Sequence, residues 1–175
     1  MYLISLYFDE KTDNRISQYI QQVAKASGNT YMLDGNVPPH MTISAFETRE
    51  EEQVVAALEG EISKMKTGTV QWASVGQFFP YVLFISPVLN EYLYSLSIGV
   101  YDILYKMNGV SISRFYKPFQ WMPHTTIGKK LNKEEMEAGF RVLQNSFGMF
   151  DGQVTRIGLA KTNPYRDIAS WKLKE

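Results

Sequence analysis

This chain contains two histidines in 175 residues, and both stand in the same local pattern. Pro39-His40-Met41-Thr42-Ile43 recurs as Pro123-His124-Thr125-Thr126-Ile127, with 84 residues from the first imidazole to the second. In a strand, side chains at i and i+2 share a face, so His40 and Thr42 point one way while Met41 and Ile43 feed a core. His124 and Thr126 repeat that arrangement against Thr125 and Ile127. A lone histidine beside a strand is most often a structural residue. A pair in duplicated surroundings, with no third histidine, reads as a site. Imidazole, with an ordinary pKa near 6.5, both takes and gives protons around neutral pH. Two of them on opposite sides of a phosphorus atom supply base and acid for one in-line displacement, and threonine hydroxyls donate to the non-bridging oxygens where negative charge is held.

Other chemistries fit the residues less well. The chain has no cysteine, and Asp34 is the only acid near the first motif, so two imidazoles leave too few anionic ligands for a metal pair, and no cofactor is expected. Ser44 lacks the strand-to-helix glycine pattern that exposes a nucleophile. For recognition of the rest of a substrate, the aromatic residues Phe46, Phe79, Tyr116, Phe119, Trp121 and Tyr165 offer faces for base stacking, with core packing as the plainer account of each. Arg114, Lys117, Lys129 and Lys130 offer cationic contacts, or are simply surface charges. Of these, Tyr116, Trp121, Lys129, Phe46 and Arg114 are the candidate substrate-binding residues.

The elements that must position the motifs follow from periodicity. Residues 2 to 8 read as a buried strand. Thr12 and Asp13 offer caps for a helix through Ile16, Tyr19, Ile20, Val23 and Ala24, which stops near Gly28. A loop over 29 to 39 leads into a strand at 40 to 44. Thr48 with Glu51 is a capping-box pair, and Val54, Val55, Leu58, Ile62 and Met65 continue one helical face to Lys66. Strands follow at 69 to 79 and 81 to 86. Ser86 before Pro87 suits a cap for a helix running to Asn108-Gly109. Residues 110 to 123 read as a loop with a short strand, a strand starts at His124, and Asn132 with Glu135 forms a second capping box before a helix through Met136, Phe140 and Leu143. A strand pair at 152 to 161 and 167 to 173 closes the chain across Asn163-Pro164. The order repeats, so one domain of two related lobes is expected over 1–175, with halves near 1–86 and 87–175.

Composition sets the outer bounds. Eighteen Lys and Arg balance eighteen Asp and Glu, and a pI near 6.7 gives no broad cationic surface for duplex or long single-stranded nucleic acid. No apolar stretch reaches the 18 or so residues of a membrane span. The N-terminus reads as a first strand, with no basic leader before it. A soluble, cytoplasmic monomer acting on a small nucleotide or an RNA end is the expectation.

The two tetrapeptides His40-Met41-Thr42-Ile43 and His124-Thr125-Thr126-Ile127, each after proline, resemble those of the 2H phosphoesterase superfamily, which includes proteins called 2′-5′ RNA ligases and cyclic nucleotide phosphodiesterases. The element order resembles that family over essentially the whole chain. The resemblance implies an α+β fold, bilobed and duplicated, with two antiparallel sheets flanking a central cleft and helices on the outer faces. It implies that His40 and His124 are catalytic and that Thr42 and Thr126 contact phosphate. It further implies chemistry on 2′,3′-cyclic phosphates, on 1″,2″-cyclic phosphates of ADP-ribose type, or on 2′-5′ linked oligonucleotides. By analogy with relatives, a 2′-phosphate product makes His124 the base and His40 the acid. Gly128-Lys129-Lys130 stands where relatives often carry an arginine. The leading expectation is a metal-independent cyclic phosphodiesterase. The alternatives are a non-catalytic nucleotide or RNA-end binding module, a weak 2′-5′ RNA ligase and a purely structural role.

Overall fold

A computed structural model describes residues 1–175. The first strand, β1 (Tyr2–Phe8), leads into helix α1 (Glu10–Ser27). Its cap is Asp9, whose extended backbone lets the carboxylate accept from Thr12 N at 3.3 Å. That is one turn earlier than the caps at Thr12 and Asp13 expected from sequence, because the Thr12 hydroxyl is buried and accepts from Gln153 N instead. Gly28 ends the helix with φ of 76°, a left-handed conformation that glycine adopts without a Cβ penalty. The segment expected as loop contains one short helix, α2 (Tyr31–Asp34), before β2 (Met41–Glu47).

Helix α3 (Glu51–Ile62) ends a turn before Lys66 and lacks its expected capping box. Thr48 Oγ1 accepts from Glu50 N, two residues on, and the Glu51 carboxylate is held elsewhere. Strands β3 (Gly68–Phe78) and β4 (Val82–Pro87) form the expected pair. Ser86 does not cap the next helix: β4 runs through Pro87, and Asn90 starts α4 (Glu91–Tyr105) by accepting from Leu93 N at 2.9 Å. A two-residue strand β5 (Ser111–Ile112) and one 3-10 turn (Arg114–Tyr116) lead to β6 (Thr125–Lys129). Helix α5 (Lys133–Ser146) forms its capping box in full, and β7 (Phe150–Lys161) with β8 (Arg166–Lys172) ends the chain.

All eight strands join one antiparallel hydrogen-bonded network, seven of them in the order β5-β2-β1-β7-β3-β4-β6 and β8 attached to β7 off that path. The long strand β7 carries β1 along one flank; on the other flank β3 pairs its first half and β8 its second. The central path is palindromic in connectivity. β1 lies between β2 and β7 as β4 lies between β6 and β3, so the unit strand-helix-strand-helix-strand occurs twice and its copies meet at the β7–β3 pairing. The helices interlock the copies. Helix α1, which follows β1, packs on α5 and β6, whereas α4, which follows β4, packs on α3, β2 and β3.

The apolar side chains form a core of 31 buried residues, more than enough to tie both copies into one body. Trp72 anchors the middle of it, stacked on Phe150 and edge-on to Phe8 with centroid separations of 5.0 Å. No helix is long and apolar enough to cross a membrane.

Candidate active site

The two motif strands, β2 and β6, are far apart in the strand order, yet the sheet curves until their Cα atoms come within 8 Å of one another. Each motif is built in the same way. Met41, Ile43 and Ile127 are fully buried, and Thr125 fills the corresponding core position in the second copy. Its hydroxyl accepts from Trp72 Nε1 at 3.2 Å, so a polar residue in the core is satisfied and the second motif is pinned to the central tryptophan. In both copies the residue after the motif threonine, Ile43 or Ile127, has no partner in the neighbouring strand. Such a bulge bends the strand locally and re-aims the side chains beside it.

The imidazoles are oriented identically. His40 Nδ1 lies 2.9 Å from Pro38 O, and His124 Nδ1 lies 2.8 Å from Met122 O. A carbonyl only accepts, so Nδ1 carries the hydrogen in each ring and Nε2 is left with its lone pair when the ring is neutral. Neither Nε2 has a partner within the protein. Aromatic rings pack beside both: Tyr7 stands 6.0 Å from His40, and Phe78 and Phe84 stand edge-on to His124 at 4.8 and 5.5 Å. Burial lowers the pKa of each imidazole below its ordinary value, against a smaller upward pull from the carbonyl bonded to Nδ1. The positive charge of Lys129 lowers His40 further, and that of His40 lowers His124. His124 is thus close enough to His40 to feel its charge.

The threonines differ. Thr42 is buried and its hydroxyl shares a 3.2 Å hydrogen bond with Ser5 Oγ, whereas Thr126 is half-buried and its side chain bonds nothing in the protein. Ser44 is buried with an unpartnered hydroxyl.

Of the candidate binding residues, Tyr116 and Trp121 line a pocket of about 370 Å³ with Phe78, Phe115, Gln120, Met122 and His124. Trp121 also donates its Nε1 hydrogen to Thr42 O at 3.0 Å, fastening the approach to the second motif onto the first. Lys129 is exposed at the end of β6, within electrostatic reach of His40. Arg114 is exposed with its guanidinium 4.8 Å over Phe115, outside that lining. Phe46 does not reach a cleft at all: it is 1% exposed and stacked on Tyr2 at 5.4 Å, a core residue because its strand is covered on both faces. Phe79 and Phe119 project into solvent, and Lys130 lies 4.4 Å over the ring of Tyr31.

Tyr7, Phe78, Phe84 and Arg156 belong to this region and escaped the sequence reading. Arg156 is half-buried in β7, with its guanidinium carbon 3.9 Å from the centroid of Tyr7. Alternation from Arg156 to Leu159 was the available signal, since it lays the cation and Gly158 on the face opposite Ile157 and Leu159.

Comparison with known proteins gives a family and a fold. Residues 11–166 match the family model of the 2′-5′ RNA ligase superfamily. No curated protein matches the sequence. Among solved structures, TT0787 of Thermus thermophilus superposes with a TM-score of 0.65 at 13% identity, over 99% of this chain and 97% of that one. Escherichia coli LigT complexed with NADP+ gives 0.61 at 16% identity, with the same coverage. Kluyveromyces marxianus Usb1 gives 0.53 at 15% identity, over 98% and 97% of the two chains. At these identities the structures establish the α+β fold, and the family match spans most of the chain. This chain therefore belongs to the 2′-5′ RNA ligase superfamily of 2H phosphoesterases.

Proposed function

We propose that this protein is a metal-independent phosphodiesterase that opens 2′,3′-cyclic phosphates of small nucleotides or RNA ends. The observation that carries the reading is the pair of unpartnered Nε2 atoms, each fixed by an Nδ1 bond to the carbonyl two residues upstream. His124 Nε2 takes a proton from the attacking water while the water oxygen bonds to phosphorus. The bond from phosphorus to one ribose oxygen breaks, and His40 Nε2–H protonates that oxygen. The electrostatics favour one protonated and one neutral ring, because a charge on either imidazole opposes a charge on the other; the assignment of base to His124 and acid to His40 follows the analogy with relatives. Thr126 donates to a non-bridging oxygen. Thr42 does the same when Ser5 donates to it, which turns the Thr42 hydrogen toward the cleft. Tyr116 and Trp121 supply an aromatic pocket for the base beside His124. Solved complexes of LigT with ATP, NADP+ and 3′-AMP agree with a nucleotide-sized ligand. The same displacement with a 5′-hydroxyl in place of water, the ribose 3′ oxygen leaving, gives 2′-5′ ligation through the same groups.

Adenosine 2′,3′-cyclic phosphate incubated with the purified protein in EDTA tests the reading. Hydrolysis is expected to persist, and His40→Ala and His124→Ala are each expected to slow it about 100-fold to 10,000-fold. Absence of turnover on any cyclic phosphate or 2′-5′ linkage, or full rates in both variants, would sink the proposal.

A further inference from the structure

One row of side chains across the sheet reaches beyond the two motifs. Tyr7 pairs with Arg156 in the β1–β7 register, and Arg156 pairs with Lys172 in the β7–β8 register. Directly opposed residues in paired strands project to the same face. Leu6 pairs with Met41 in the β1–β2 register, so the same row continues to His40, whose ring stands 6.0 Å from that of Tyr7. The row is therefore His40, Tyr7, Arg156, Lys172, with Tyr7 sandwiched between imidazole and guanidinium.

Arg156 is held as a binding group would be. Tyr7 supports its face, Gly158 leaves room for the Tyr7 ring, and Ser170 Oγ accepts from Nη1 at 3.0 Å. The other donors of the guanidinium fork have no acceptor in the protein. Arg156 also takes part in none of the chain's three ion pairs. The carboxylates that share its surroundings are Asp13 on α1, which senses its charge, and Asp167, which accepts from Tyr165 OH at 2.6 Å. A half-buried guanidinium in no ion pair, with donors to spare and a lysine beside it in the row, is a site for an anion.

The scissile phosphate must lie between the two Nε2 atoms and the threonines, whereas Arg156 stands one strand further along the row from His40, with Tyr7 on the strand between them and in contact with both. We propose that Arg156, supported by Tyr7, Ser170 and Lys172, binds a second phosphate of the same substrate, so that the site selects a 2′,3′-cyclic phosphate whose nucleoside also carries a 5′-phosphate, as every RNA 3′ end does. The catalytic part of this statement rests on the function proposed above; the anion site itself does not.

Two measurements separate them. The first is the ratio of kcat/KM for adenosine 2′,3′-cyclic phosphate with and without a 5′-phosphate. A charge-assisted contact predicts a preference of about 10-fold for the 5′-phosphorylated substrate, collapsing toward unity in Arg156→Gln and retained in Arg15→Gln. Arg15 is the control because it stacks on Phe150, 4.3 Å away, outside the row. The second is equilibrium binding, by calorimetry, of adenosine 3′,5′-bisphosphate against adenosine 3′-monophosphate, which needs no turnover. The bisphosphate is expected to bind the wild type about 10-fold tighter and Arg156→Gln no tighter than the monophosphate. Equal affinity in the wild type, a preference that survives Arg156→Gln, or no measurable binding of either ligand overturns the second-phosphate site. A bisphosphate preference without hydrolysis would leave the anion site standing and remove the proposed catalysis instead.

Discussion

Lys129 acts on His40 through its charge rather than through a hydrogen bond. Its positive charge opposes the imidazolium form of His40, which burial already disfavours. Removing the charge with Lys129→Met raises the pKa of His40. With His40 as the acid, its protonated form then persists to higher pH, so the alkaline limb of the kcat/KM profile is expected to move upward while the acidic limb, set by His124, keeps its place. Movement of the acidic limb alone would exchange the roles of the two histidines, because that limb reports the group that must be neutral. The histidines and threonines were legible in the sequence since a repeated tetrapeptide places them at known strand positions. Lys129 was visible as a cation near the second motif. Tyr7 and Arg156 were not, because their place in one row with His40 depends on strands distant from it along the chain, and no local pattern carries the register that brings them together.

The same limit shows among the elements. Two sequence patterns promised a capping box, and one forms. At α5, Asn132 accepts from Glu135 N and Glu135 returns a bond to Asn132 N, at 2.9 and 2.8 Å. At α3, the Glu51 carboxylate instead accepts from Arg166 Nη2 on both oxygens, at 2.8 and 2.9 Å, and from the Tyr2 hydroxyl at 3.0 Å. Tertiary partners with stronger donors displaced the local one, and a charged guanidinium outcompetes a backbone amide for a carboxylate. Asn132→Ala is thus expected to lower stability by about 1 kcal/mol, and Thr48→Ala by no more than a few tenths, read from chemical denaturation midpoints. Equal losses would mean that the Thr48 hydroxyl supports α3 in solution. The remaining elements were readable wherever period and punctuation agree, as at the Gly28 stop and the β3–β4 pair. Starts failed where several polar residues compete for one terminus, as Asp9 does with Thr12, and Asn90 with Ser86. The single hydrogen-bonded network and the exchange of α1 and α4 between copies depend on long-range pairing, which periodicity does not report.

At the scale of the molecule, each copy of the repeat supplies one imidazole of the proposed reaction, and each imidazole is seated in a related way. An aromatic ring flanking the imidazole packs over a glycine in the adjacent strand. A Cβ on Gly76 would stand 2.5 Å from the Phe84 ring beside His124, and one on Gly158 would stand 2.8 Å from the Tyr7 ring beside His40. Gly76→Ala and Gly158→Ala must each displace a ring, an overpacking expected to cost about 1–3 kcal/mol of stability. The two positions have no contacting ring in common, so the stability losses are expected to add in the double variant. The activity losses should not. A displacement that needs base and acid in one step is already crippled when either imidazole leaves its place, and groups acting as a unit lose function together. The double glycine variant is therefore expected to turn over a cyclic phosphate nearly as fast as the slower single variant, while its unfolding free energy falls by the sum of both. Additive activity losses would show that the two histidines act in separate steps, and the one-step exchange of protons across the cleft would have to be abandoned.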